Sequence, residues 1–459
     1  MLPDDVLLEM FHFFVDEAWN EYGCEPDAMK AWQSLVHVCR RWRIVVFGSP
    51  RRLKLRLVCT GNTRATDTVD IWPALPISIQ NHTSPESMDN IIALLDCSDL
   101  VHRITQINLV VIGWELEDVS EAMQIPFPEL TRLDLHDDFR QAEPILPLSD
   151  SFLGGSAPRL QSLRLDRIPY PGLPKLLLTA THLTRLDLHD IPDSGYIPPE
   201  AMAACLSTLT SLERLLLVFL FPRPFPDQKG QCLRPSPRTS LHVLDHFMFR
   251  GSGEYLEVLV ASIDAPRLRD LSITFFNDII FVTPQFTQFI SHAPMLEAFD
   301  RATVTFWKNA AGVELSSAYS RLDVSIYCTE LDWQLSFLEQ VCTSSLPPLS
   351  TLQDLYMMSI QWPQDRKDSI DYTQWLELLH SFTAVKNLYL SRELAPCVVP
   401  ALQELVGGRT TEVFPNLQNI FLEELQESGP VQEGFGKFVA ARQVTSHPIT
   451  VSRWGKYLN

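Results

Sequence analysis

A chain of 459 residues, 46% of them hydrophobic, has ample material for a large core and is too long for one compact domain unless its fold is elongated or repetitive. Its formal net charge of -19 and pI near 5.0 argue against a general nucleic-acid binder, whose affinity comes largely from neutralising phosphates. Nine cysteines at irregular spacing, without a Cys-x-x-Cys pair, argue against a disulfide framework or zinc site and for free thiols in a reducing compartment.

The chain starts "MLPDDVLLEMFHFFVDEAW", apolar but carrying Asp4, Asp5 and Glu9, which does not suit a secretory signal. No apolar run is long enough to span a membrane, so a soluble protein of the cytosol or nucleus is expected. Asp4 caps a helix in which Val6, Leu7, Met10, Phe11 and Phe14 recur at helical spacing and share one broad apolar face. A second helical pattern, "DAMKAWQSLVHVCRRWRIVVF", aligns Trp32, Leu35, Val38, Cys39, Trp42 and Val46, and Pro50 after Gly48 ends it. Seven Arg or Lys fall between Leu35 and Cys59, without aromatic interleaving or a wider basic face. They read as the solvated edge of this helix and of the first strand, "LKLRLV", rather than as a nucleic-acid or membrane site.

An internal repeat then runs through most of the chain. Clear copies are "FPELTRLDLHDD" (127–138), "APRLQSLRLDRI" (157–168), "ATHLTRLDLHDI" (180–191), "APRLRDLSITFF" (265–276) and "FPNLQNIFLEEL" (414–425). The shared frame is Pro-x-Leu-x-x-Leu-x-Leu, stepping by 23 to 33 residues, with "SRLDVSIY" (320–327) filling a double gap between 299 and 355. This matches leucine-rich repeats: one strand with both leucines on its core face, and one return segment per turn. Helical patterns at 84–95, 198–209, 252–263, 283–293 and 372–382 supply the returns, several opening with Ser or Thr and Pro. The expected fold class is α/β: a helical N-terminal module (1–50), an irregular solenoid or horseshoe of about a dozen repeats (51–425), and a C-terminal cap or tail (426–459). The proline-rich stretch 221–238 reads as a long loop.

Leu2-Pro3, the acidic pair Asp4-Asp5, the apolar "VLLEMF" and the run Val38-Cys39-Arg40-Arg41-Trp42 resemble an F-box, over about residues 2–50. Followed by leucine-rich repeats and "FGSPRRLKLRLVCT", the chain resembles the F-box proteins abundant in mushroom-forming fungi. The segment between the two helices is longer than the family's linker. The resemblance implies the substrate-recognition subunit of an SCF-type (cullin-RING) ubiquitin ligase, with the F-box on a Skp-type adaptor and the repeats on the target protein. Carried over, the adaptor contacts are Leu2, Pro3, Leu7, Met10 and Phe11, with Leu35, Val38, Cys39 and Trp42 contacting or supporting from the second helix. The alternative is a leucine-rich binding scaffold with a vestigial F-box.

No catalytic constellation, cofactor motif or metal site emerges. His242 and His246 have the spacing of two ligands on a helix but fall on a strand copy, and His136 and His189 occupy matching places in two repeats. A non-enzymatic protein without cofactor is therefore expected. The residue between the paired leucines points to the face opposite the core, giving Asp134, Arg164, Asp187, Leu216, Asp245, Ser272 and Asp300, then Tyr356, Tyr389 and Phe421. The three aromatics are the expected centre of the substrate site, unless the tail folds back over them.

Overall fold

The computed structural model describes residues 2–22, 26–61, 74–81, 88–138, 146–220, 238–276, 283–360, 372–407, 409–423, 429–445 and 447–455. Two compact units divide the chain, Met1–Ile197 and Pro198–Asn459. The proline-rich stretch 221–237, Cys24 and Cys232 lie outside the described residues.

The first unit opens with three helices, α1 (Asp4–Tyr22), α2 (Pro26–Val36) and α3 (Arg40–Gly48). The second helical pattern of the sequence is thus two helices, and the break has a local cause. Cys39 is extended (φ -159°, ψ 168°) and N-caps α3, its Sγ accepting the Trp42 N–H at 3.5 Å. Arg43 Nε donates to the Val36 carbonyl at 3.1 Å, satisfying the end of α2. Trp32, Leu35 and Val46 remain inside, whereas Val38 and Cys39 turn outward at the break.

Six strands follow among the described residues, β1 (Leu57–Cys59), β2 (Ile77–Gln80), β3 (Ile104–Val111), β4 (Arg132–Asp137), β5 (Ser162–Asp166) and β6 (Arg185–Ile191), each parallel to the next. Leu133, Leu163 and Leu186 stand side by side in register, as do Leu135, Leu165 and Leu188. Every one is buried, together with the Leu130, Leu160 and Leu183 that precede them. The same turn leads into each strand, with the N–H of Leu130, Leu160 and Leu183 donating three residues back. This regularity is the leucine-rich-repeat solenoid.

The second unit contains β7 (Arg214–Phe219), β8 (Thr239–Ser240), β9 (His246–Gly251), β10 (Ile263–Asp264), β11 (Asp270–Phe276), β12 (Arg301–Trp307), β13 (Ala310–Ser316), β14 (Arg321–Tyr327), β15 (Asp354–Ile360), β16 (Asn387–Leu390), β17 (Asn419–Leu422) and β18 (Thr450–Arg453). From β7 the spatial order is β7-β9-β11-β14-β13-β12-β15-β16-β17-β18, while β8 and β10 pair separately. The return helices Pro199–Leu206, Gly253–Ala261, Pro284–Ser291 and Tyr372–His380 lie within the predicted segments. No helix among the described residues is long and apolar enough to cross a membrane.

Two features depart from a simple repeat. The strand predicted at 320–327 forms as β14, but it sits beside β11, ahead of β12. β13 runs antiparallel between β12 and β14, so the solenoid is interrupted by a three-stranded meander and resumes where β12 pairs parallel with β15. The second feature is the tail. It folds as a helix, Pro430–Val444, and the strand β18 parallel to β17, which is one more repeat. The fully buried Arg442 fastens it, donating to the Thr410 and Phe414 carbonyls at 3.0 and 2.9 Å.

Gly434 lets this last helix approach the helix Ala395–Gln403, since a Cβ there would overlap Val399 Cγ1 and Gln403 Nε2. Gly434→Ala should therefore destabilise the second unit by about 1–3 kcal/mol. Gly436→Ala, with open space around its Cβ position, should be neutral or slightly stabilising by calorimetry.

In the meander, Glu314 and Asp323 are direct cross-strand partners, a like-charge pairing. Burial pushes the Asp323 carboxyl up to about 6, against the Ser272 hydroxyl at 3.0 Å and the Arg321 charge, with Glu314 and Asp270 adding to the rise. A carboxyl whose folded pKa lies above its ordinary 3.8 stabilises most at low pH, and that contribution is lost as pH rises through about 6. Asp323→Asn should accordingly raise the melting temperature at pH 7.5, with a gain that shrinks toward zero by about pH 4.

Candidate functional site

Two surfaces combine chemistry that binds with a rigid support. The first is on the helical module. Leu7, Phe11 and Leu35 are interior, Phe11 being 2% exposed and packed against Trp42 with ring centroids 4.7 Å apart. Their role is to hold α1 on α2 and α3. What they leave outside is a stripe along α1, Leu2, Val6, Met10, Phe13 and Phe14, of which Phe13 is 68% exposed. Spacing of three and four residues keeps these side chains on one side of the helix. Val38 (59% exposed), Cys39 and Ile44 add apolar surface at and beyond the α2–α3 break. Arg41 ties this break to the start of α1, pairing with Asp4 at 2.7 Å and donating to the Leu2 carbonyl. Pro3 is exposed, and its carbonyl accepts the Leu7 N–H at 3.1 Å.

The carried-over contact set thus separates into a supporting half (Leu7, Phe11, Leu35, and the partly buried Trp42) and an outward half (Leu2, Pro3, Met10, Val38, Cys39). Phe13 and Ile44, absent from that set, are among the most exposed apolar groups. Phe13 lies between His12 and Phe14, and which side of α1 packs inward decides its exposure. The basic run is engaged within the chain: Arg41 with Asp4, Arg52 with Glu9, Arg56 with Gln106, and Arg43 with the α2 terminus.

The second surface is the open face of the sheet in the second unit. One row reads Leu216, Met248, Ser272, Asp323, Glu314, Thr303, Tyr356, Tyr389, Phe421 and Ser452 across neighbouring strands. Asp245 and Asp300 do not belong to it, and Met248 and Thr303 stand in their places. In both copies a Leu-x-x-apolar spacing occurs twice, three residues apart. The later frame wins because Phe247 and Phe249, or Ala302 and Val304, are the residues that reach the core.

Tyr356, Tyr389 and Phe421 are stacked face to face, with centroids 4.1 and 4.6 Å apart and ring planes within 6° and 11° of parallel. Arg301 covers the outer face of Tyr356 at 5.3 Å. Burial, with the adjoining Tyr356 and Asp354, pushes the Tyr389 hydroxyl up to about 12, so it stays protonated. Beside the rings runs a polar row. Asn387 Nδ2 donates to Asp354 Oδ1 at 2.6 Å, Asn419 Nδ2 to Asn387 Oδ1 at 2.8 Å, and the Thr450 hydroxyl to Asn419 Oδ1. These hydrogen bonds hold successive strands in register and polarise one another toward the Asp354 carboxylate. Trp454, just past β18, meets Tyr389 and Tyr356 edge-to-face at 5.5 and 5.8 Å. The tail thus covers part of the ladder through one side chain. Sequence reading missed Arg301, which pairs with Asp354 at the head of the polar row, and Trp454, which reaches the rings only through the fold of the tail.

In the first unit the corresponding row is Gln80, Asn108, Asp134, Arg164 and Asp187. It is internally compensated, with Asp134 3.8 Å from Arg164 and the fully buried Asp187 2.6 Å from Arg185. His136 and His189 flank Asp166 on neighbouring strands, His136 Nδ1 lying 3.1 Å from its carboxylate. Burial holds the His189 imidazole below its ordinary range, against the pull of Asp166. His246 contacts Asp245 at 2.7 Å, and His242 contacts Ser240. Among the described residues no three His, Cys, Asp or Glu side chains gather as a metal site.

No protein family and no curated protein matches the chain. Among solved structures it is similar to the leucine-rich repeat-containing protein LegL7 from Legionella pneumophila, with 14% identity over 83% of this chain and 96% of that one and a TM-score of 0.28. It is also similar to TLR13 in the TLR13–ssRNA13 complex, with 12% identity over 87% of this chain and a TM-score of 0.33. The matched region spans about half of the TLR13 chain, 49%. The leucine-rich-repeat fold follows from the repeat frame and strand register.

Proposed function

We propose that this chain is a non-catalytic substrate-recognition subunit of an SCF-type ubiquitin ligase, working in the cytosol or nucleus. Its helical module docks on a Skp-type adaptor and its repeats hold the protein to be ubiquitinated. The observation that carries this reading is the α1 stripe: Leu2, Val6, Met10, Phe13 and Phe14 are exposed, and Val38 is turned outward at a break that Arg41 ties to the start of α1. A folded domain rarely leaves so much contiguous apolar surface open without a partner for it. Burying each such side chain contributes about 1.5–3 kcal/mol, so several can sustain docking after the costs of association. The F-box resemblance names the partner, and the aromatic ladder of the second unit offers the target a rigid anchor.

Met10→Asp combined with Val38→Asp should reduce adaptor binding at least tenfold in a pull-down or titration, while each surface change alters stability by no more than about 0.5 kcal/mol. Phe11→Ala should instead unfold the helical module, because its ring is interior and its removal costs about 3–5 kcal/mol. Undiminished adaptor binding by the double variant would overturn the assignment. Changing Tyr356, Tyr389 and Phe421 together to Ser should abolish capture of the target by affinity purification and leave adaptor binding intact.

A further inference from the structure

Trp454 lies as a side chain of a bound segment would lie. Its main chain extends β18, with the Trp454 N–H donating to the Leu422 carbonyl at 3.0 Å. Its indole, however, turns back across β17 to rest on the Tyr389 and Tyr356 rings of the two strands beyond, at 75° and 69° to their planes. The two rungs are 4.1 Å apart, and the indole centroid is nearly equidistant from them. A bicyclic ring therefore spans both rungs at once, whereas a single six-membered ring would sit over one. Stacking consumes the faces of the tyrosine rings and leaves their electropositive edges outward, which suits the electron-rich face of an indole. The indole N–H points at the Leu390 carbonyl at 3.4 Å.

The occupant is held lightly. Its hydrogen bond is long, and the Leu390 carbonyl already accepts the Glu423 N–H at 3.1 Å. Thr450, Ser452, Arg453 and Gly455 around it are exposed, and Ile449 is the buried anchor of that segment. Stability of this kind belongs to elements that open locally and leave the rest of the fold intact.

We propose that the Tyr356–Tyr389 ladder reads tryptophan: it binds a segment of the partner protein that presents a Trp side chain, and Trp454 is the resident competitor which that side chain replaces. This rests on the open face being the partner-binding surface, and it adds the chemistry recognised and the contact that restrains it. Binding then requires release of Trp454, so the apparent affinity is lowered by the fraction of time the slot is occupied.

The test uses the full chain and the neutral probe acetyl-Gly-Ser-Trp-Ser-Gly-amide, titrated by NMR. Trp454→Ala should bind the probe at least tenfold more tightly than the unaltered protein, and Trp454→Phe should fall between them. A probe with Phe in place of Trp should bind at least fivefold more weakly to Trp454→Ala, and adding Tyr389→Ser should abolish binding. If Trp454→Ala melts early, Trp454→Phe, which keeps a ring on the ladder, carries the same comparison. Equal probe affinity with and without Trp454, or indifference to Trp versus Phe, overturns the proposal. Should the Tyr356, Tyr389 and Phe421 triple variant still lose the target in that case, the open face remains the binding surface and the tryptophan reading alone falls.

Discussion

No strand–helix unit of this chain can bury its own apolar face, and the architecture follows from that constraint. A strand such as Arg132–Asp137 presents Leu133 and Leu135 to one side, and these close into a core only against Leu163 and Leu165 of the next strand. The parallel register puts identical positions of successive repeats side by side, so what is inside in one copy is inside in all. It also makes the opposite face a set of rows in which chemistry accumulates along the sheet. A ladder of aromatic rings or amides becomes possible because backbone pairing fixes adjacent strands about 4.8 Å apart, close to the 4.1 and 4.6 Å between centroids of the stacked rings.

The meander of the second unit shows how this constraint survives interruption. Between β11 and β15 the chain inserts an antiparallel strand, yet Leu322, Leu315 and Ala302 continue the core row while Asp323, Glu314 and Thr303 continue the open one. Side chains alternate with a period of two whichever way a strand runs, so reversal leaves the inside and outside rows intact. The open row does bring two carboxylates opposite one another, and burial, with Glu314 adding to it, is what raises the Asp323 pKa there. Past the meander the row becomes aromatic, where each ring covers its neighbour and the polar row beside it satisfies itself.

The helical module obeys a different rule. It buries one face of each short helix on the others, using Phe11, Trp32, Leu35 and Val46, and is fastened by single polar contacts at the helix ends. With so few residues it cannot enclose all its apolar side chains, and the surplus is concentrated along α1. That surplus, rather than the basic run next to it, is what distinguishes the module, since the arginines are largely spent on carboxylates and carbonyls of the same chain.

The repeat frame, the core leucines, the return helices and the aromatic positions Tyr356, Tyr389 and Phe421 were determined by the sequence alone, because each depends on local periodicity that every copy repeats. Tertiary structure decided what periodicity leaves degenerate. Where Leu-x-x-apolar spacing occurs twice in succession, at 241–247 and 296–302, either frame is apolar, and only packing against the neighbouring strand selects the later one. The helical pattern through Val38 and Cys39 is continuous in sequence, but a cysteine side chain capping Trp42 breaks it and moves both residues from the interior to the surface. The order β14-β13-β12 and the return of Trp454 onto rings some sixty-five and ninety-eight residues earlier in the chain are long-range pairings, and no local pattern encodes them.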